Sequence, residues 1–167
     1  MLLRIAASAA FVAAGGLIGF RLADKLRREQ ELCTVIGCLL RRTAFLVGYR
    51  SDDVYAVCAE LKRDSELAPL TFLQLLPAEY ERGSDFRACW ENAVISAHYC
   101  SDEESLLLRL GRIIGRSDSA SQLDSIRALE VTLADLEQRR RESYLRKGRL
   151  YRSVGLLFGV MAGIMVI

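Results

Sequence analysis

Proline is scarce in this sequence: Pro69 and Pro77 are the only two in 167 residues. With so few chain breakers and no apolar–polar alternation of strand type, the pattern favours helices throughout. Histidine and tryptophan occur once each, as His98 and Trp90. No G-x-x-x-x-G-K-[ST], G-x-G-x-x-G or G-x-S-x-G stretch is present, which removes the usual phosphate cradles and nucleophile elbows. A lone histidine within a helix reads as a surface or packing residue. The expectation is a chain that is not an enzyme and holds no cofactor or metal. Cys33, Cys38, Cys58, Cys89 and Cys100 are odd in number and irregular in spacing, unlike a disulfide framework or a zinc site. They read as small apolar residues kept reduced in a cytosol.

What the chain does have lies at its ends. Ile5 to Phe20 is uncharged over sixteen residues, and Ser153 to Ile167 over fifteen. At about 1.5 Å per residue these reach roughly 24 and 22 Å, short of a hydrocarbon core of roughly 30 Å. Each lengthens if Arg4 or Arg152 snorkels to the interface, adding Met1 to Leu3 or Leu150 and Tyr151. The N-terminal run lacks a small-residue cleavage pattern at Phe20-Arg21-Leu22 and reads as an uncleaved anchor. A buried core helix is the plainer reading of the C-terminal run, but the basic residues beside it favour a membrane. Arg21, Lys25, Arg27 and Arg28 follow the first run. Arg139, Arg140, Arg141, Arg146, Lys147, Arg149 and Arg152 precede the second. The positive-inside rule then puts the middle of the chain in the cytosol and both termini on the far side. The expected organisation is a transmembrane helix at 1–20, a helical bundle at 21–149 and a transmembrane helix at 150–167.

Between the ends, three- and four-residue spacing recurs. Leu32, Val35, Ile36, Leu39 and Leu40 share one helical face, and Gly48 to Ser51 break that helix. Ser51 or Asp52 is placed to cap the next helix, with Val54, Val57, Cys58 and Leu61 inward. Thr71 starts a short helix that Pro77 ends or kinks, and Ser84 is placed to cap the one carrying Phe86, Trp90 and Val94. Ser101 to Glu104 and Ser119 to Gln122 are capping-box patterns. The second opens a helix with Leu123, Ile126, Leu129, Leu133 and Leu136 inward, which can run unbroken into the C-terminal segment. The fold class is all-α, a bundle of about six helices flanked by two transmembrane ones.

Charge divides along the same lines. Residues 51–137 hold 17 Asp and Glu against 8 Lys and Arg. An acidic body argues against nucleic acid as a partner, and basic flanks suit anionic headgroups. Asp102, Glu103 and Glu104 could suggest a metal, but acids in a first turn complement the helix dipole. They are instead the first choice for a contact with a partner protein. Gly15 and Gly19 in one end, and Gly155, Gly159 and Gly163 in the other, recur at four-residue steps. That spacing lets helices associate closely in lipid, either with each other or with further subunits, a homo-oligomer included.

Three stretches together resemble one family: "LIGFRLADKL" at 17–26, "LGRIIGRSDSASQ" at 110–122 and "LYRSVGLLFG" at 150–159. They are similar to stage III sporulation protein AB of endospore-forming bacteria. The matching residues are Gly111, Gly115, Asp118 and Gln122, then Leu150, Tyr151, Arg152 and Gly155, with Gly83, Ser84, Trp90 and Glu91 in the tryptophan helix. Leu46 departs from the family pattern, which has an acid three residues before Tyr49; Asp52-Asp53 replaces its Thr-Pro turn. The resemblance implies a platform protein akin to the F-type components of type II secretion and type IV pilus machines. It implies a place in the mother-cell membrane around the forespore and a secretion-type ATPase, stage III sporulation protein AA, as partner among other channel subunits. A true type II or type IV platform protein would normally carry two tandem helical domains and three spans. An unrelated membrane-tethered adaptor is the other alternative.

Overall fold

The structure, a computed structural model, describes residues 2–49, 53–77, 85–114 and 119–166; within the terminal helices some side chains, those of 2–12 among them, lie outside that description. Six α-helices and no strand occur among the described residues: α1 (Leu2–Tyr49), α2 (Val54–Arg63), α3 (Phe72–Leu75), α4 (Phe86–Ser96), α5 (Ser101–Ile113) and α6 (Ser119–Val166). A 3₁₀ turn at Ser65–Leu67 follows α2. The all-helical expectation and the helix count hold.

Helix ends follow local chemistry, one residue away from several expected caps. Asp85, not Ser84, caps α4, its carboxylate accepting from the Arg87 N–H at 3.0 Å. Asp64 does the same for the 3₁₀ turn through Glu66 N–H, also at 3.0 Å. Cys100 precedes α5, so Ser101 is already helical and no side-chain bond closes its expected box. Asp53 stands before α2 without a capping bond, and the expected caps Ser51, Asp52 and Ser84 lie outside the described residues. Leu76 turns extended (ψ 147°) ahead of Pro77, as the proline ring requires of its predecessor, and this ends α3. The Lys62 ammonium donates to the freed Leu76 carbonyl. His98 ends α4 at φ 54°, the left-handed position that commonly closes helices and that glycine usually fills.

The chain divides into two compact units, 32–137 and the paired ends 1–31 with 138–167. The boundaries lie inside the expected 21–149 bundle. The reason is that the ends stay paired beyond their uncharged runs, as far as Glu29 and Arg140. In the 32–137 unit one core joins Ile36, Leu39 and Leu40 of α1 to Leu61, Phe72, Leu73, Trp90, Leu107, Leu110, Ile126 and Leu133, all buried. Phe72 meets the Trp90 ring edge-on at 5.1 Å, and Phe86 closes on it at 5.8 Å. Thr34 of α1 bonds Glu137 of α6 at 3.2 Å, tying the first and last helices of this unit. Among the described residues no helix is long and apolar enough to cross a membrane. The uncharged stretches at both ends are helical and short for a bilayer.

Candidate assembly surfaces

In the paired ends the closest approach is backbone on backbone. A methyl group added at Gly19 would stand 2.5 Å from the Tyr151 carbonyl oxygen. One added at Gly155 would stand 2.7 Å from the Gly15 carbonyl and 3.0 Å from the Gly19 Cα. Ascending α6 from 151 to 155 thus descends α1 from 19 to 15, and the two helices are antiparallel here. Glu29 and Arg140 continue the same register, 3.2 Å apart and largely shielded from solvent. Gly16, next to Gly15 but off the four-residue spacing, has nothing within 4 Å.

Large apolar side chains face the other way. Leu17, Ile18, Phe20, Leu157, Phe158, Met161 and Ile164 are 60–67% exposed. Among the described residues, Ala23 is the one hydrophobic side chain buried in this unit, while 26 are buried in the 32–137 unit. A helix pair in water would turn its leucines and phenylalanines inward. This one turns glycine inward.

In the 32–137 unit Gly111 serves a different purpose. A Cβ there would fall 2.2 Å from the Trp90 ring, whose indole N–H donates to the Leu107 carbonyl at 2.8 Å. Gly111 is the gap that lets the indole reach α5. Of the other family-pattern residues, Gln122 is buried in the first turn of α6, and the Tyr151 backbone forms the Gly19 contact. Gly115 and Asp118 lie outside the described residues. So do the surroundings of Gly159 and Gly163 and the side chain of Arg152.

The acidic triplet at the start of α5 does not act as one surface. Asp102 is exposed, but Glu103 is fully buried with the Cys33 thiol 3.7 Å away. Glu103 is therefore removed from the expected partner contact: position 103 falls on the core-facing side of α5, with Leu106, Leu107 and Leu110. Glu91 links α4 to α5 instead, receiving Arg87 and Arg112 at 3.4 Å each. Arg42 holds Asp64 at 3.0 Å beside an open groove of about 590 Å³ lined by Phe45, Leu61 and Arg63. Arg87 and Glu91 stand four apart on α4, a spacing visible in the sequence, whereas Arg112–Glu91 and Arg42–Asp64 join residues far apart in the chain and have no such signature.

Two of the cysteines are held in the thiol form by their surroundings. Burial pushes the Cys58 thiol up to about 12. Cys38 is raised by burial and by its hydrogen bond to Glu66, 3.1 Å away. Among the described residues no group of acids, cysteines and histidine is placed to hold a metal ion.

No curated protein and no solved structure gives a match to this chain. The family model described as Stage III sporulation protein AB matches residues 4–167, nearly end to end. It spans both the glycine-paired ends and the tryptophan-centred bundle, and the chain belongs to the stage III sporulation protein AB family.

Proposed function

We propose that this sporulation protein is a membrane platform: its paired ends insert in the bilayer and its 32–137 unit docks a secretion-type ATPase from the cytosol. The observation that carries the reading is the reversal of apolar exposure in the ends. Glycines at the helix contact with leucine, phenylalanine and methionine outside is the arrangement lipid favours, because hydrocarbon supplies no drive to bury apolar side chains. Each uncharged run is short, so arginines at its borders have to reach the headgroups.

The docking half of the proposal rests on charge. Asp102, Asp124 and Asp135 are exposed, in a unit whose sequence carries 17 acidic and 11 basic residues. Charge of one sign on an exposed face chiefly raises the rate of association with a complementary partner. The test uses the full chain in lipid nanodiscs with a family-type ATPase flowed over it. The association rate is expected to fall about tenfold or more between low and high salt, and in Asp102→Lys/Asp124→Lys. Salt-independent binding, or none to a folded protein, overturns docking by the acidic unit. Extraction of the chain from membranes by carbonate overturns the platform itself.

A further inference from the structure

The paired ends carry a second feature, between the glycine contact and the Glu29–Arg140 pair. Because Gly19 meets Tyr151 and Glu29 meets Arg140, residues 20–28 of α1 lie level with 141–150 of α6. The α1 part holds Arg21, Lys25, Arg27 and Arg28 against Asp24. The α6 part holds Arg141, Arg146, Lys147 and Arg149 against Glu142. A band roughly 13 Å tall thus concentrates eight cations and two acids.

The protein's own acids do not neutralise it. Asp24 takes Arg28 at 2.8 Å, Glu31 takes Arg27 at 2.8 Å, and Glu142 stands 3.8 Å from Arg146. Arg21, Lys25, Arg141 and Lys147 are exposed and have no ion-pair or hydrogen-bond partner among the described residues. Arg21, Lys25 and Arg28 border an open hollow of about 490 Å³ with Asp24. Like charges this dense repel one another unless something anionic meets them.

We propose that this band binds the anionic headgroups of phospholipids and so enriches acidic lipid around the protein. The inference rests on the membrane reading above. Two observations choose lipid over an acidic protein. The cations adjoin the exposed apolar side chains directly: Phe20 precedes Arg21, and Leu150 follows Arg149. The band also occurs on both helices of the pair, at the level where short apolar runs end. A headgroup layer meets both helices at one depth, and each cation near it is held at the anionic surface.

Spin-labelled phosphatidylglycerol and phosphatidylcholine, compared on the full chain reconstituted in phosphatidylcholine vesicles, test the idea. Phosphatidylglycerol is expected to be enriched beside the protein by roughly fivefold at low salt, the worth of one such charge. The enrichment should shrink in high salt and in Arg21→Gln/Lys25→Gln/Arg141→Gln/Lys147→Gln, with the circular dichroism unchanged. Equal occupancy of the two lipids beside an inserted protein overturns lipid selection while sparing the membrane reading. If the quadruple variant then also loses self-association, the band is assigned to a protein contact. Failure of the chain to float with neutral vesicles overturns both.

Discussion

Two glycine-to-neighbour contacts, Gly111 against Trp90 and Gly19 against Tyr151, show how differently the two units are held together. In residues 32–137 a small residue makes room for a large ring, and the stabilisation comes from burying the ring. In the paired ends small residues make room for backbone, and Leu17, Ile18, Phe20, Leu157, Phe158, Met161 and Ile164 stay outside. Charge is partitioned in the same way: the ends carry 12 basic and 4 acidic residues, the bundle 11 and 17. The lesson is that one chain can follow two packing rules within the same two helices, large side chains inward in one stretch and glycine inward in the other, changing near Glu31 and Gln138.

The largest expected effect is the loss of Trp90. Trp90→Ala should lower the stability of the 32–137 unit by about 3–5 kcal/mol, because a fully buried ring and its bond to Leu107 are both removed. Thermal unfolding followed by circular dichroism reads this. The ends should remain paired in the same variant, and a simultaneous loss of pairing would mean that the two packing rules are not independent.

Overfilling the glycine contact comes next. Gly19→Leu should separate the paired ends, at a cost of about 1–3 kcal/mol, whereas Gly16→Ala should leave them in place. Distances between spin labels at Leu22 and Leu145 distinguish the two. Equal behaviour of the two variants would show that glycine proximity does not hold this unit.

A pH dependence separates the units further. The Cys58 thiol stays neutral in the folded bundle up to about 12, while the unfolded chain ionises it near its ordinary value of 9.0. The folded state therefore holds more protons between these limits, and its stability falls as pH rises through them, by about 1.4 kcal/mol per unit. Below pH 9 the contribution is intact. Cys58→Ala should flatten that slope in denaturant titrations between pH 9 and 10.5, with no change in the ends.

The smallest effect concerns His98, whose left-handed backbone strains any residue with a Cβ. His98→Gly should stabilise the bundle by about 1 kcal/mol. A destabilised variant would mean that the imidazole makes up for the strain.

Much of the bundle was legible in the sequence because helical periodicity is local. Ile36, Leu39, Leu61, Trp90, Ile126 and Leu133 fell inward as their spacing indicated. The caps shifted by a residue because Ser and Asp stand side by side at 84 and 85, and either suits the role. Glu103 was misplaced for a similar reason. Its neighbours Asp102 and Glu104 share its chemistry, and the signal that separates them is the spacing of three, four and seven residues from Glu103 to Leu106, Leu107 and Leu110, which puts it on the inward face of α5. Gly111 and Trp90 stood out separately, but nothing in the chain between them signals that one fits the other. Gly19 and Gly155, both on the four-residue glycine steps, stand at the close approach, while Gly16, which is off those steps, has open space around it.

The Glu29–Arg140 pair has a consequence for how the protein is made. Its partners are 111 residues apart, and Thr34 and Glu137 are nearly as distant. Synthesis at roughly 5–20 residues per second puts about 6 to 22 s between the emergence of the two halves of that pair. During this interval α1 stands without its partner helix, with the Gly15 and Gly19 face uncovered. The nascent chain thus passes through a stage in which whatever receives its first helix must hold it alone until the partner stretch of α6 has emerged.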